Sequence, residues 1–243
     1  MIEQPIKAIF FDWDLTLAYT RTAQDSREER LAIMFQLSGL PYTQDEIEAA
    51  LQQYDRDVEQ GKLKKIEKPQ TRRQIVREYA YMLDLLGHKD TGWDLQERIY
   101  GSHSLLPTFL FEDSRPTLQL LKESGYILGI LSNRSRVGRP IMEELVGDLI
   151  PSQQMLISEE LGVHKPAKTI FLRAAARVRI PPANCVQVGD NLEVDAIAAV
   201  QRGGFRYGIW LDRSNSPNGR SFLPNVSSIN TLSQLPDWIE DHL

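Results

Sequence analysis

The chain has 243 residues, 42% of them hydrophobic, enough for one large core or two modest ones. Its 28 basic and 33 acidic residues leave a formal net charge of -5, with no basic surplus to hold a polyanion, which argues against nucleic acid as the main partner and leaves a small anionic substrate open. Cys185 is the only cysteine, no apolar run approaches the ~20 residues that span a bilayer, and the segment before Asp12 has neither the length nor the cleavage pattern of a signal peptide, so a cytoplasmic chain without disulfides is expected.

Ile6, Ala8, Ile9, Phe10 and Phe11 form an apolar run too short for a buried helix and rich in strand formers. It predicts a strand buried on both faces, as in a parallel sheet. The run ends in Asp12-Trp13-Asp14-Leu15-Thr16-Leu17. Paired acids at the end of a buried strand repel each other and resist desolvation, a conflict that a divalent cation removes. Such a pair suits chemistry in which one carboxylate attacks and its neighbour handles a proton; a strand that simply exits into a polar loop gives the same residues.

From Ala18 to about Phe111 helical periodicity dominates. Ser26-x-x-Glu29 and Thr43-x-x-Glu46 fit capping boxes ahead of two helices. Ile75, Tyr79, Met82, Leu83 and Leu86 mark a third helix that stops at Gly87, and Leu95 through Ile99 a fourth. The basic run of Lys62, Lys64, Lys65, Lys68, Arg72, Arg73 and Arg77 reads as a solvated helix face, although it could also draw in a phosphorylated substrate. His88, His103, His164 and His242 show no metal-ligand spacing.

After Phe111 helix and strand alternate. Asp113 or Ser114 caps a helix that stops at Gly125, and Tyr126 to Leu131 is a strand ending at Ser132-Asn133. A helix around Ile141 to Val146, a weaker strand from Gln154 to Ile157 and a loop with Lys165-Pro166 precede a helix from Lys168 to Val178. Cys185 to Val188 ends at Gly189-Asp190, a helix holds Ile197 to Val200, and Phe205 to Leu211 is the last strand. Ser214 to Pro224 reads as an exposed loop, Leu232 to Leu243 as a helix, and the glycosylation pattern at Asn225-Val226-Ser227 as coincidence. This rhythm predicts an α/β fold with a doubly wound, mainly parallel sheet, whose ligands bind at the carboxyl ends of the strands. Asp12, Asp14, Ser132 and Asp190 each follow a strand and Lys165 sits in a loop after another, so all converge on one edge.

Asp12-Trp13-Asp14-Leu15-Thr16, Leu131-Ser132-Asn133, Lys165-Pro166 and Gly189-Asp190-Asn191-Leu192-Glu193-Val194-Asp195, in this order, resemble the haloacid dehalogenase superfamily in its aspartate-nucleophile phosphatase branch. The resemblance implies a Rossmann-like catalytic core from residues 1–17 and 112–243, with an all-helical cap domain, 18–111, inserted after the first strand. It implies Asp12 as nucleophile, Asp14 as acid and base, Ser132, Asn133 and Thr16 at the substrate phosphate, and Lys165 as the cation beside the nucleophile. Magnesium would be held by Asp12, Asp14 through its carbonyl, and Asp190, with Asp195 in support. Leu15 stands where glycine is frequent in the family, and no second proline follows Lys165-Pro166.

The implied activity is hydrolysis of a small soluble phosphomonoester through an aspartyl-phosphate, with a phosphorylated metabolite as partner and neither nucleic acid nor membrane. A sugar-phosphate mutase would use the same residues, while a non-catalytic binding or switch protein would not need Asp14, Ser132, Lys165 and Asp190 together. A dehalogenase has no use for Asp14.

Overall fold

The computed structural model describes residues 5–20, 26–63, 72–102, 105–214 and 223–242. The chain divides into two compact units, Met1–Tyr19 with Thr108–Leu243, and Thr20–Pro107. The described strands are β1 (Ala8–Phe11), β2 (Ala18–Thr20), β3 (Thr108–Leu110), β4 (Ile127–Ser132), β5 (Met155–Ile157), β6 (Cys185–Gly189), β7 (Tyr207–Leu211) and β8 (Val226–Ile229). The helices are α1 (Arg27–Leu37), α2 (Gln44–Glu59), α3 (Arg72–Leu85), α4 (Trp93–Ser102), α5 (Ser114–Glu123), α6 (Arg139–Val146), α7 (Ser158–Leu161), α8 (Lys168–Val178), α9 (Ala198–Gln201) and α10 (Leu235–Glu240).

Six strands form a parallel sheet in the order β5-β4-β1-β6-β7-β8. β1 lies at its centre because all four of its side chains are buried. Alternation sends Ile9 and Phe11 into one core, with Leu128, Ile130, Val186 and Val188, and Ala8 and Phe10 into the other, with Ile170, Phe171 and Phe205. Full burial of Phe10 and of Phe11 contributes roughly 1.5–3 kcal/mol each. Phe11 pairs with Ile130 on one side and Val188 on the other. β4 runs on to Ser132 and β6 to Gly189, so the residues that end or follow β1, β4 and β6 gather at one edge of the sheet.

The helical unit has its own core, in which Phe35, Ile47, Leu83 and Ile99 are fully buried. Both expected capping boxes form: Ser26 Oγ accepts from Glu29 N at 3.2 Å and Thr43 Oγ1 from Glu46 N at 3.3 Å. Each is worth about 1 kcal/mol to its helix.

The structure departs from the sequence expectations in several places. β2 and β3 pair as a separate two-stranded sheet where the chain leaves and re-enters the first unit, and the two compact units divide at residues 19/20 and 107/108, beside the expected 17/18 and 111/112. β8 adds a sixth strand where none was expected. Asp113 occupies the N-cap of α5 without a side-chain capping bond. Its carboxylate instead accepts from Arg213 Nη1 and Nη2 at 3.0 and 2.9 Å and from Leu232 N at 2.8 Å, tying α5 to the C-terminal segment. Lys64, Lys65, Lys68 and His103 lie outside the described residues, as do 215–222 of the expected Ser214 to Pro224 loop. No helix among the described residues is long and apolar enough to cross a membrane.

Candidate active site

The site is assembled from the ends of β1, β4 and β6 and the loop after α7. Asp12 is the first residue after β1, and its amide donates to Val188 O at 2.9 Å. Extended geometry puts Trp13 in the core and Asp12 and Asp14 on the other side. A tight turn follows, in which Leu17 N and Ala18 N donate to Trp13 O at 3.0 and 2.9 Å and Leu15 N to Ala18 O at 2.7 Å. Leu15 sits in this turn at φ 58, the left-handed region that glycine adopts without strain. That is the physical reason a glycine suits this place.

Lys165 is 2% exposed, and its Nζ lies 2.6 Å from Asp195 Oδ1 and 2.9 Å from Asp12 Oδ1. The first contact is an aligned hydrogen bond, the second an ion pair without that alignment. Asn133 clamps the lysine backbone: its Oδ1 accepts from Lys165 N at 2.7 Å and its Nδ2 donates to Lys165 O at 2.9 Å. The side chain expected at the substrate phosphate therefore positions the loop. Ser132 closes β4, buried, one strand over from Asp12. Thr16, also expected at the phosphate, is fully buried, with its Oγ1 unpartnered among the described residues and its carbonyl accepting from Arg213 Nη2 at 2.8 Å.

Asp190 follows β6, its carbonyl accepting from Trp210 Nε1 at 2.8 Å. A π-helical turn over Leu192–Ile197, begun by Asn191 accepting from Glu193 N and Val194 N at 3.2 and 3.0 Å, folds Asp195 back toward it. Asp195 Oδ2 accepts from Asn191 N at 3.1 Å. Carboxylate oxygens of Asp12, Asp190 and Asp195 lie within 4.8 Å of one another. Close packing makes Gly189 obligatory: a Cβ there would stand 2.3 Å from Asp195 Cγ.

Three acids around one ammonium leave a surplus of negative charge. Burial first, then the Asp12 and Asp195 charges, push the Asp190 carboxyl up to about 7 against the opposing pull of Lys165. Burial raises Asp195 too, with Lys165 opposing and Asp12 assisting. For Lys165 burial alone would favour the neutral amine, but the Asp12 and Asp195 charges outweigh it and hold the ammonium above the usual lysine range. Asp14 is raised by burial and by Asp12, against its partner Arg134, whose Nη1 donates to Asp14 Oδ1. A compact set of hard oxygen donors, short of positive charge, fits a divalent cation such as magnesium.

A family model for haloacid dehalogenase-like hydrolases matches residues 6–203. The chain belongs to that family. This hydrolase is 29% identical over 205 residues to the glyceraldehyde 3-phosphate phosphatase of Methanopyrus kandleri, covering 82% of this chain and 81% of that protein. Among solved structures it resembles the 2-haloacid dehalogenase of Pseudomonas syringae pv. tomato DC3000, with TM-score 0.63 and 25% identity over 98% of this chain and 100% of that one. It shares its fold with the putative hydrolase YfnB of Bacillus subtilis, with TM-score 0.64 and 19% identity over 97% and 99% of the two chains.

Sequence reasoning on the hydrolase passed over Arg134. The signal was present, a cation directly after the strand-end pair Ser132-Asn133, where its side chain is carried into the edge that collects the acids. It is almost wholly buried and reaches Asp14.

Proposed function

We propose that this hydrolase is a magnesium-dependent phosphatase that releases phosphate from a small phosphorylated metabolite through an aspartyl-phosphate on Asp12. One observation carries the reading: a second carboxylate, Asp14, stands two residues beyond Asp12 at the same strand end, where burial and the Asp12 charge raise it against the pull of Arg134. A halide leaves without a proton, whereas an alkoxide needs one.

Asp12 attacks phosphorus as the bond to the leaving oxygen breaks, and Asp14 gives that oxygen its proton. Water then attacks the phosphorus of the aspartyl-phosphate and gives a proton to Asp14, the bond to the Asp12 oxygen breaks, and phosphate and both starting carboxyl states are restored. Lys165 offsets charge on Asp12 and on the transferring group, the electrostatic role that dominates such reactions. The Ser132 hydroxyl and amide bind the phosphoryl oxygens. The Asp12 and Asp190 carboxylates and the Asp14 carbonyl would hold magnesium, with Asp195, engaged by Lys165 and the Asn191 amide, in support. When bound, the ion supplies positive charge that screens the carboxylates and the phosphoryl oxygens.

The relative from Methanopyrus kandleri makes glyceraldehyde 3-phosphate the first substrate to assay, followed by other short phosphorylated metabolites. Free phosphate should appear, chelator should abolish its release and magnesium restore it, and Asp12→Asn should cut turnover on the order of 10⁴-fold or more. Full turnover in excess chelator would refute the metal, and a phosphorylated product without free phosphate would make the enzyme a mutase.

A further inference from the structure

Arg134 is an unusual residue to bury. Its side chain is 3% exposed, yet Nε and Nη2 have no hydrogen-bond partner among the described residues, and its one side-chain bond runs from Nη1 to Asp14 Oδ1. Stability does not explain this, because an apolar side chain of similar volume avoids the desolvation of a guanidinium with unpaired donors. The backbone behind it is nonetheless firmly held. Arg134 O accepts from Ser158 Oγ at 3.3 Å and Glu159 N at 3.4 Å, and Glu159 Oε2 accepts from Ser135 Oγ and Arg136 N at 2.5 and 2.7 Å. The start of α7 thus fixes the base of a cation that does nothing visible except hold one oxygen of Asp14.

We propose that Arg134 is a positioning residue that assigns the two oxygens of Asp14 different tasks: Oδ1 is held by the guanidinium, and Oδ2 alone carries the proton to the leaving oxygen and takes one from water. The chemistry of the pair requires the division. A guanidinium keeps all its protons in a protein, so an Oδ1 that faces its N–H cannot also carry hydrogen along that contact, and the acid proton belongs on Oδ2. Asp14 remains 38% exposed, so its other oxygen is not sealed in with the arginine. Without Arg134 the carboxyl rotates, and each turnover begins with the proton on either oxygen. The inference rests on Asp14 acting as acid and base in the proposed phosphatase.

The test compares wild type, Asp14→Asn, Arg134→Gln and Arg134→Lys on one aryl and one alkyl phosphate. With the alkyl phosphate, Arg134→Gln should lose about 100-fold in kcat with KM within about threefold, since an oriented proton donor contributes on that order. With the aryl phosphate, whose oxygen leaves unaided, the first step should survive. Phenol should then appear in a burst, and phosphorylated Asp12 should accumulate in quenched samples read by mass spectrometry. Arg134→Lys, which keeps a charge and a donor, should recover part of kcat. A raised KM with unchanged kcat, equal losses on both substrates without phosphorylated Asp12, or loss of the fold in both arginine variants by circular dichroism would overturn the role. If Asp14→Asn is crippled while Arg134→Gln behaves as wild type, only the positioning role falls; if Asp14→Asn is fully active, the assignment of Asp14 falls with it.

Discussion

Asp57 in the helical unit and Asp190 in the sheet unit are both carboxylates drawn back from water, and their acidities move in opposite directions. Asp57 accepts from Tyr81 Oη at 2.7 Å, Gln53 Nε2 at 3.0 Å and Lys62 Nζ at 3.1 Å, and these bonds, Tyr81 first, hold it below the usual carboxylate range. Asp190 shares its surroundings with Asp12 and Asp195 and is pushed up to about 7. The difference lies in supply. In the helical unit three donors converge on one acid; at the strand ends three acids crowd together beside one ammonium, which contacts Asp12 and Asp195. The first arrangement is complete as it stands and stabilises the fold, while the second is short of positive charge, the imbalance that the proposed cation would relieve.

Removing the ammonium should test that contrast most severely. Lys165→Met leaves the Asp12 and Asp195 charges without their cation, a change that costs roughly 3–5 kcal/mol. Urea denaturation should show the loss, magnesium should restore part of it, and phosphate release should fall by about 10²–10³-fold. Unchanged stability would mean that the three acids do not burden Lys165.

A smaller effect, of opposite sign in the two regions, should come from neutralising each acid. At pH 8 without metal, Asp190→Asn should raise stability, on the order of 1 kcal/mol after allowance for solvent screening, while abolishing turnover. Asp57→Asn should lower stability and leave turnover intact. Denaturation midpoints that moved the same way would remove the distinction.

The finest test is pH. Asp190 has a folded value near 7, above its ordinary value, so between about pH 4 and 7 the folded state holds a proton that the unfolded chain has lost. Its contribution to metal-free stability is therefore full at low pH and declines as pH rises through that window. Asp57, whose value is lowered, contributes in the reverse sense, with stability present above its ordinary value and lost as pH falls through the folded one. The proposed magnesium would bind the ionised carboxylate, so it should raise the melting temperature more at pH 8 than at pH 5.5. An equal rise at both would contradict the Asp190 assignment.

Much of the sheet unit is legible from spacing alone. β1, β4 and β6 are apolar runs that end in polar residues, and a parallel sheet must bring those ends together, so Asp12, Ser132 and Asp190 follow from topology. β8 escapes because Val226-Ser227-Ser228-Ile229 has only two apolar positions, enough for an edge strand and too few to stand out. β2 and β3 have three residues each, shorter than any periodicity can register. The strand-end position of Asn133 and Arg134 is legible, but their partners lie 32 and 120 positions away along the chain, and no local pattern names those. Asp113 shows the converse: its cap position is legible, but Arg213 and Leu232 claim its oxygens from the far end of the chain.

Gly189 has one further consequence, for heredity. It contributes no charge, no nucleophile and no side-chain hydrogen bond, yet every missense change at its codon installs a β-carbon 2.3 Å from Asp195 Cγ. The position therefore has no conservative replacement. In a saturation library scored for growth on the enzyme's product, its column should be as empty as that of Asp12, and an observer ranking residues by intolerance alone would mistake a steric vacancy for a member of the reaction.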